Sequence, residues 1–310
     1  MKKIEIKIPQ QYGSLIGLLL LGALLSILSP SFLSLSNLMN VLNQVSLNGL
    51  VAIGMTFVIL SGGIDLSVGS VLAFSGAVLA ALLKTGLPDM LAIVLALALG
   101  TLMGLVNGAF ISRFNLQPFI VSMAFMTMYR GATFVFTQGR PITGLGDTGV
   151  FVASGRGDVL GIPWSGIVLL AAFFITAFVL DKTVFGKGIY AIGGNAEAAR
   201  LSGLPVKRLR ASVYAISGFF AALASVILTS RLDSAQPLAG QGYELDAIAA
   251  VVLGGTSLAG GRGFMVGTII GAFIIGVLNN GLNLLEVSSF YQQIVKGAVI
   301  LLAVLLDRRK

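Results

Sequence analysis

Side chains able to do chemistry are scarce in this sequence, and their types exclude whole reactions. Histidine and cysteine are both absent from the 310 residues. Imidazole proton relays, thiol nucleophiles, disulfides and zinc or haem held by His or Cys are therefore out of reach. Twelve acidic and twenty basic residues remain, and they supply no convergent acid–base set of the kind an intramembrane enzyme would need. No GxxxxGK[ST] phosphate loop occurs, so the chain is not expected to bind ATP itself. Gly144 to Gly149 reads GLGDTG and matches GxGxxG, but no strand precedes it and no helix follows in a βαβ unit. With forty glycines in the chain, such a match is expected by chance.

A handful of polar residues sit inside otherwise apolar runs. Arg130, in MTMYRGATF, is costly in hydrocarbon and must face a bundle interior or a water-filled cavity. It is either a pathway or gating residue or one half of a structural pair with a carbonyl or carboxylate. Asn279, Asn280 and Asn283 are spaced to share a helix face. Their amides suit a hydroxyl-rich solute in transit, and interhelical hydrogen bonds equally well. Asp65, in SGGIDLSVGS, reads as the N-cap of a helix starting near Leu66, with Ser67 and Ser70 in the same turn. As a proton carrier it would instead imply ion-coupled transport. Glu244 and Asp246 open an apolar segment from outside, where the helix dipole favours carboxylates, and Glu244 is also a candidate for an outer gate. Lys296 lies about one and a half turns into the last apolar segment and is expected to snorkel outward.

Composition dictates the elements that must hold these residues. Hydrophobic residues make up 56% of the chain and charged ones 10%, against about 25% charged in a soluble domain. So little polar surface cannot cover water-soluble cores. The chain is read as an all-α polytopic membrane protein, one transmembrane domain over 1–310, with about ten transmembrane helices, some short or re-entrant. A crossing takes about 20 apolar residues for about 30 Å of hydrocarbon. The segments are 13–29, 45–61, 67–83, 91–111, 118–137, 164–180, 212–230, 244–257, 264–285 and 290–306. The eighth is short and runs into LGGTSLAGGRG, which suits a half-helix or re-entrant element. Gly100, Gly104 and Gly108, and Gly267 with Gly271, lay smooth strips along two segments for close backbone contact. A faint echo links SGGIDLSVGS from Ser61 to LGGTSLAGGRG from Leu253, as duplicated transporter halves would.

The formal net charge of +8 records orientation; it does not mark nucleic-acid binding. Basic residues collect in cytoplasmic loops. With both termini inside and ten crossings, fourteen of the twenty fall on the inner side: Lys2, Lys3, Lys7, Arg113, Lys182, Lys187, Arg200, Lys207, Arg208, Arg210, Arg262, Arg308, Arg309 and Lys310. Lys84, Arg140, Arg156 and Arg231 fall outside. The longest outside loop is 138–163, and the inside stretch 181–211 is strongly basic.

Within that inner stretch lies GNAEAARLSGLPVKRLR. Asn195 is a good N-cap, Glu197 sits in the first turn, Arg200 approaches the last, and Gly203 followed by Pro205 ends the element. A two-turn helix is thus written into a loop. Glu197, Ala198 and Ala199 followed by Gly203 have the form EAAxxxG, which resembles the coupling motif of bacterial ABC importer permeases. SPSFLSLSNLMNVLNQVSLNGLVAIGMTFVILSGGIDLSVGS near the start, YAIGGNAEAARLSGLPVKRLR in the middle and GYELDAIAAVVLGGTSLAGGRGFMVGTIIGAF in the last third resemble the binding-protein-dependent monosaccharide permeases. The segment from Arg231 to Pro237 also fits the ribose type.

That resemblance implies a permease in the bacterial cytoplasmic membrane, embedded in lipid and paired with a second copy of itself. It moves ribose or a related monosaccharide by alternating access. A separate ATPase subunit, holding ATP and magnesium, would dock on Asn195, Glu197, Ala198, Ala199, Arg200 and Gly203, and a periplasmic or extracellular sugar-binding protein would deliver the cargo. The chain itself needs no cofactor or metal, performs no catalysis and has no nucleic-acid partner. An ion-coupled sugar transporter, or a family member for another pentose, a hexose or a furanose-like signalling molecule, are the alternatives.

Overall fold

The computed structural model describes residues 10–146 and 149–307. Lys2, Lys3, Lys7, Arg308, Arg309 and Lys310, with both termini, lie outside the described residues, as do Asp147 and Thr148 of the GLGDTG match. In chain order the elements are α1 (Gln10–Leu28), α2 (Leu35–Leu60), α3 (Val68–Lys84), α4 (Asp89–Phe114), α5 (Pro118–Thr137), β1 (Ile142–Thr143), α6 (Val150–Arg156), β2 (Asp158–Val159), β3 (Ile162–Pro163), α7 (Trp164–Lys182), α8 (Val184–Gly194), α9 (Ala196–Leu201), α10 (Val206–Leu232), β4 (Ser234–Ala235), α11 (Tyr243–Leu253), α12 (Met265–Leu284) and α13 (Ser289–Asp307). The strands are two-residue ribbons, β1 antiparallel to β4 and β2 antiparallel to β3. A helix satisfies its own backbone, which is why apolar runs destined for lipid take this form.

Each of the ten apolar segments holds a helix, and six of these, α2, α4, α5, α7, α10 and α12, are long and apolar enough to cross a membrane. The helix α2 runs through the middle of the bundle, 83% of its apolar window buried, whereas α4, α5 and α7 bury only 28%, 22% and 28%. Those three present apolar side chains such as Leu102, Val135 and Phe174 outward, as a lipid-facing layer does. The helix α2 also starts ten residues before the expected 45, at Leu35. Its first turns are rich in Ser and Asn and read as a loop, but Asn37 and Asn43 are bonded to Asn280 and Ser165 on neighbouring helices. Paired amides make a polar turn tolerable inside a bundle.

The glycine strips are used within the chain. A Cβ on Gly100, Gly104 or Gly108 of α4 would meet Gly218, Tyr214 or Ala211 of α10 at backbone distance. Gly267 and Gly271 of α12 lie equally close to Gly254 and Ala250 in and after α11. The two echo turns meet as well: Gly260 packs on Gly62, and the Gly261 amide donates to the Leu60 carbonyl at 2.9 Å.

Two loops are more structured than expected. The stretch 181–211 is mostly helical, because Thr183 caps α8 by accepting from the Gly186 amide at 3.1 Å, and Ile189 and Ile192 are buried against the bundle. Its signal was hidden by glycines at 186, 188, 193 and 194. The stretch 138–163 folds back through α6, whose Phe151 is buried and donates its amide to Asp89 Oδ2 at 3.0 Å.

Candidate functional site

At one end of the bundle α9 forms the two-turn helix that its sequence spells out. Asn195 Oδ1 accepts from the amides of Glu197 at 3.0 Å and Ala198 at 2.9 Å. Gly203 ends the turn with φ +86°, a backbone conformation that favours glycine. Ala199 is buried against a small apolar cluster with Ile192 and Leu209, and this seats the helix on α8 and α10. Its other face is open: Ala198, Arg200 and Leu201 are exposed, Leu201 at 74%. Arg200 donates to both Glu197 oxygens, at 2.6 and 3.0 Å. These hydrogen bonds, and then the charge of Arg200, hold the Glu197 carboxyl below its ordinary range and raise the guanidinium in turn. Such an exposed pair is weak and can be exchanged for a partner's groups at little cost.

A second polar group lies inside the bundle. After α10 and β4 the chain runs without regular structure from Gln236 to Gly242 and then enters α11. Eleven residues of helix rise only about 16 Å, about half of a ~30 Å core, and a run of turns over 237–242 precedes them. Arg130 Nη1 donates to the carbonyls of Pro237 at 2.7 Å and Ala239 at 2.8 Å, satisfying backbone that would otherwise be orphaned. Gly240, with φ +70°, packs on Gly69 in the first turn of α3, and a Cβ on Gly69 would meet the Gly240 carbonyl and Glu244 Oε2. Glu244 Oε1 accepts from the Gly242 amide at 3.2 Å. The start of α11 therefore packs beside the start of α3, through Gly240 and Glu244 on Gly69. Arg130 and Glu244 are both half-buried and come together around this stretch.

The α12 asparagines have other partners. Asn280 and Asn37 exchange two amide hydrogen bonds, at 2.8 and 3.0 Å, and Asn283 Oδ1 accepts from Gln292 at 2.8 Å. Asn279 is buried, and its carbonyl oxygen has no partner among the described residues. Two expectations are corrected. Lys296 does not snorkel: its Nζ lies 3.0 Å from Asp246 Oδ2, since a buried carboxylate in the first turn of α11 attracts the nearest cation. Asp65 is not the cap of a helix at Leu66, for α3 begins at Val68 and its N-cap position is Ser67. Asp65 instead accepts from the Ser67 amide at 3.0 Å and hydroxyl at 2.6 Å, from Asn107 at 3.1 Å and from Ser217 at 2.9 Å. It thereby ties the α3 turn to α4 and α10. Ser217 is eleven residues into α10, roughly 16 Å along it, so this knot lies deep. Asn107 and Ser217 escaped the sequence reading, although a lone Asn in an apolar run is a signal. Among the described residues no cluster of carboxylates could hold a metal ion.

A family model for the branched-chain amino acid transport system / permease component matches residues 37–304. The ribose import permease protein RbsC of Bacillus subtilis (strain 168) is 56% identical over 303 residues, 98% of this chain and 94% of the relative. The protein of the same name from Escherichia coli (strain K12) is 52% identical over 303 residues, covering 96% and 93%. The D-allose transport system permease protein AlsC of Escherichia coli (strain K12) is 40% identical over 300 residues, covering 96% and 91%. No solved structure matches the chain.

Proposed function

The chain belongs to the branched-chain amino acid transport system / permease component family, and from that premise we propose that it is the membrane-spanning permease subunit of an ABC importer for ribose. Identity of 52–56% to ribose import permeases over nearly the full length carries this reading, and the 40% to a D-allose permease supports ribose over a hexose. The protein is not an enzyme. It lies in the cytoplasmic membrane, and ATP with magnesium belongs to a separate ATPase subunit.

In this account the chain crosses ten times, α11 together with the run of turns before it making one crossing, and both termini face the cytoplasm. One domain from 1 to 310, paired with a second copy, frames the pathway. The ATPase grips α9 through Glu197, Ala198, Arg200 and Leu201, while the Asn195 cap, buried Ala199 and the Gly203 turn keep that helix rigid enough to transmit movement. A sugar-binding protein docks on the opposite end. Arg130 and Glu244 lie on the path, a placement supported by half-buried polar groups at a stretch of interior backbone that is not helical, since such backbone is tolerated where it lines a cavity. Asn279, whose carbonyl oxygen has no partner among the described residues, is a further path residue; Asn280 and Asn283 support it through the bonds they already make. Binding of ATP in the partner supplies the differential energy that a neutral sugar cannot, and the bundle supplies two states for it to bias.

Sugar-stimulated ATP hydrolysis by the assembled complex tests this reading. Ribose-loaded binding protein should raise the rate several-fold in the presence of this chain, with allose-loaded protein weaker. Equal rates with and without the chain would overturn it.

A further inference from the structure

A cavity of about 280 Å³ lies where the α2–α3 turn, the end of α4, the start of α5 and the first half of α10 meet. Ser61, Gly63, Asn115, Gln117, Arg210 and Tyr214 are among its walls. Two of the hydroxyls are already spent, Ser61 on the Val58 carbonyl at 2.7 Å and Tyr214 on that of Ile64 at 3.2 Å. Arg210 is the single charged wall residue, is half-buried, and forms no ion pair among the described residues. A guanidinium at a low-dielectric margin calls for an anion, and a neutral sugar would not answer it. Apolar groups accompany it: Leu116 in the wall, and Phe114, Phe119 and Ile120 beside the wall residues in sequence, are exposed at 46%, 62%, 51% and 60%. A negative centre flanked by hydrocarbon is the chemistry of an acidic phospholipid, and basic pockets between helices at the cytoplasmic face suit such headgroups.

We propose that this cavity is a headgroup site for an anionic phospholipid of the inner leaflet, its phosphodiester on Arg210, its glycerol head toward Asn115 and Gln117, and its acyl chains on the apolar groups at 114–120. The lipid would fix the α4–α5 turn against the echo turns at 61–63, close to where α9 moves. The inference rests on the inward placement of α9 given above.

Native mass spectrometry of the purified full chain with phosphatidylglycerol, phosphatidylcholine or glycerol 3-phosphate tests it. Phosphatidylglycerol should bind about ten-fold tighter than phosphatidylcholine, as expected for a charge-assisted contact. Arg210→Gln should reduce that preference to less than about two-fold, while Arg210→Lys retains most of it because the charge remains. Arg208→Gln, two residues away in the same helix and absent from the cavity wall, should leave it intact. No preference in the wild type, an unchanged preference in Arg210→Gln, or equal binding of glycerol 3-phosphate alone would each overturn the lipid site. Loss of ATPase association in Arg210→Gln with lipid preference unchanged would make the cavity a protein-docking site instead. Failure of the inward placement is distinguished separately. The chain has no cysteine, so an Arg113→Cys variant labelled from outside intact cells would refute that placement without touching the lipid measurement.

Discussion

Substituting Gly104 by alanine should break the interface on which α4 and α10 cross. A Cβ at 104 would lie 2.1 Å from the Tyr214 carbonyl oxygen and 3.0 Å from the Gly218 amide nitrogen. Carbon approaches a carbonyl oxygen to about 3.3 Å at closest, so the helices must part by roughly 1.2 Å. A radial gap of about 0.5–1 Å already forfeits a quarter to a half of each dispersion well. The loss spreads along the strip, since Gly100 and Gly108 are also in tight contact, their Cβ positions 2.8 Å from the Gly218 carbonyl oxygen and from Tyr214 Cβ. Overpacking of a core costs about 1–3 kcal/mol, and parting two backbones belongs at the upper end. Higher alanine propensity returns up to about 1 kcal/mol, leaving a net destabilisation of about 2 kcal/mol. Gly17→Ala is the control, because nothing lies within 4 Å of its Cβ position; it should be neutral or slightly stabilising. Equilibrium unfolding of both variants in the same detergent reads the difference. Stability of Gly104→Ala within about 0.5 kcal/mol of the Gly17→Ala control, a small fraction of the expected cost, would refute the close-crossing argument.

Other perturbations follow from the same geometry. Asp65→Ala removes the acceptor shared by the Ser67 amide and hydroxyl, Asn107 and Ser217, and each buried donor left unpaired costs about 1–3 kcal/mol, so it should be destabilising by about 3 kcal/mol in the same unfolding assay, with Asp65→Asn recovering part. Lys296→Met isolates the buried Asp246 carboxylate and should cost about 3 kcal/mol, much of it restored in a double variant with Asp246→Asn. Asn195→Ala removes two accepted amide hydrogen bonds, about 1 kcal/mol of helix capping; sugar-stimulated ATP hydrolysis should fall while overall stability holds. Because Arg200 depresses Glu197, the pair's contribution is complete above the ordinary carboxylate pKa and vanishes only as pH falls through the lowered one. Stimulated hydrolysis should therefore owe no variation to this pair between about pH 6 and about pH 8.

The two-turn helix α9 was legible from sequence almost to the residue, since cap, charges and terminating glycine act locally. The ten helices were legible for the same reason: a run of apolar residues in lipid has few other options. What escaped notice depended on partners far along the chain. Asn37 looks like loop until Asn280, 243 positions away, accepts its amide. Lys296 looks like a snorkelling residue until α13 packs on α11 and brings Asp246 to it. Arg130 read equally well as gate or pair; its two carbonyl partners lie in a run of turns that no periodicity announces.

Uptake of labelled ribose into proteoliposomes carrying this chain tests the central claim most directly. The account predicts uptake only when the ATPase subunit, ATP inside and ribose-loaded binding protein outside are all present, and uptake that persists when ion gradients are collapsed at constant ATP. Accumulation without ATP or the ATPase, or its loss on collapse of an ion gradient with ATP held constant, would contradict it.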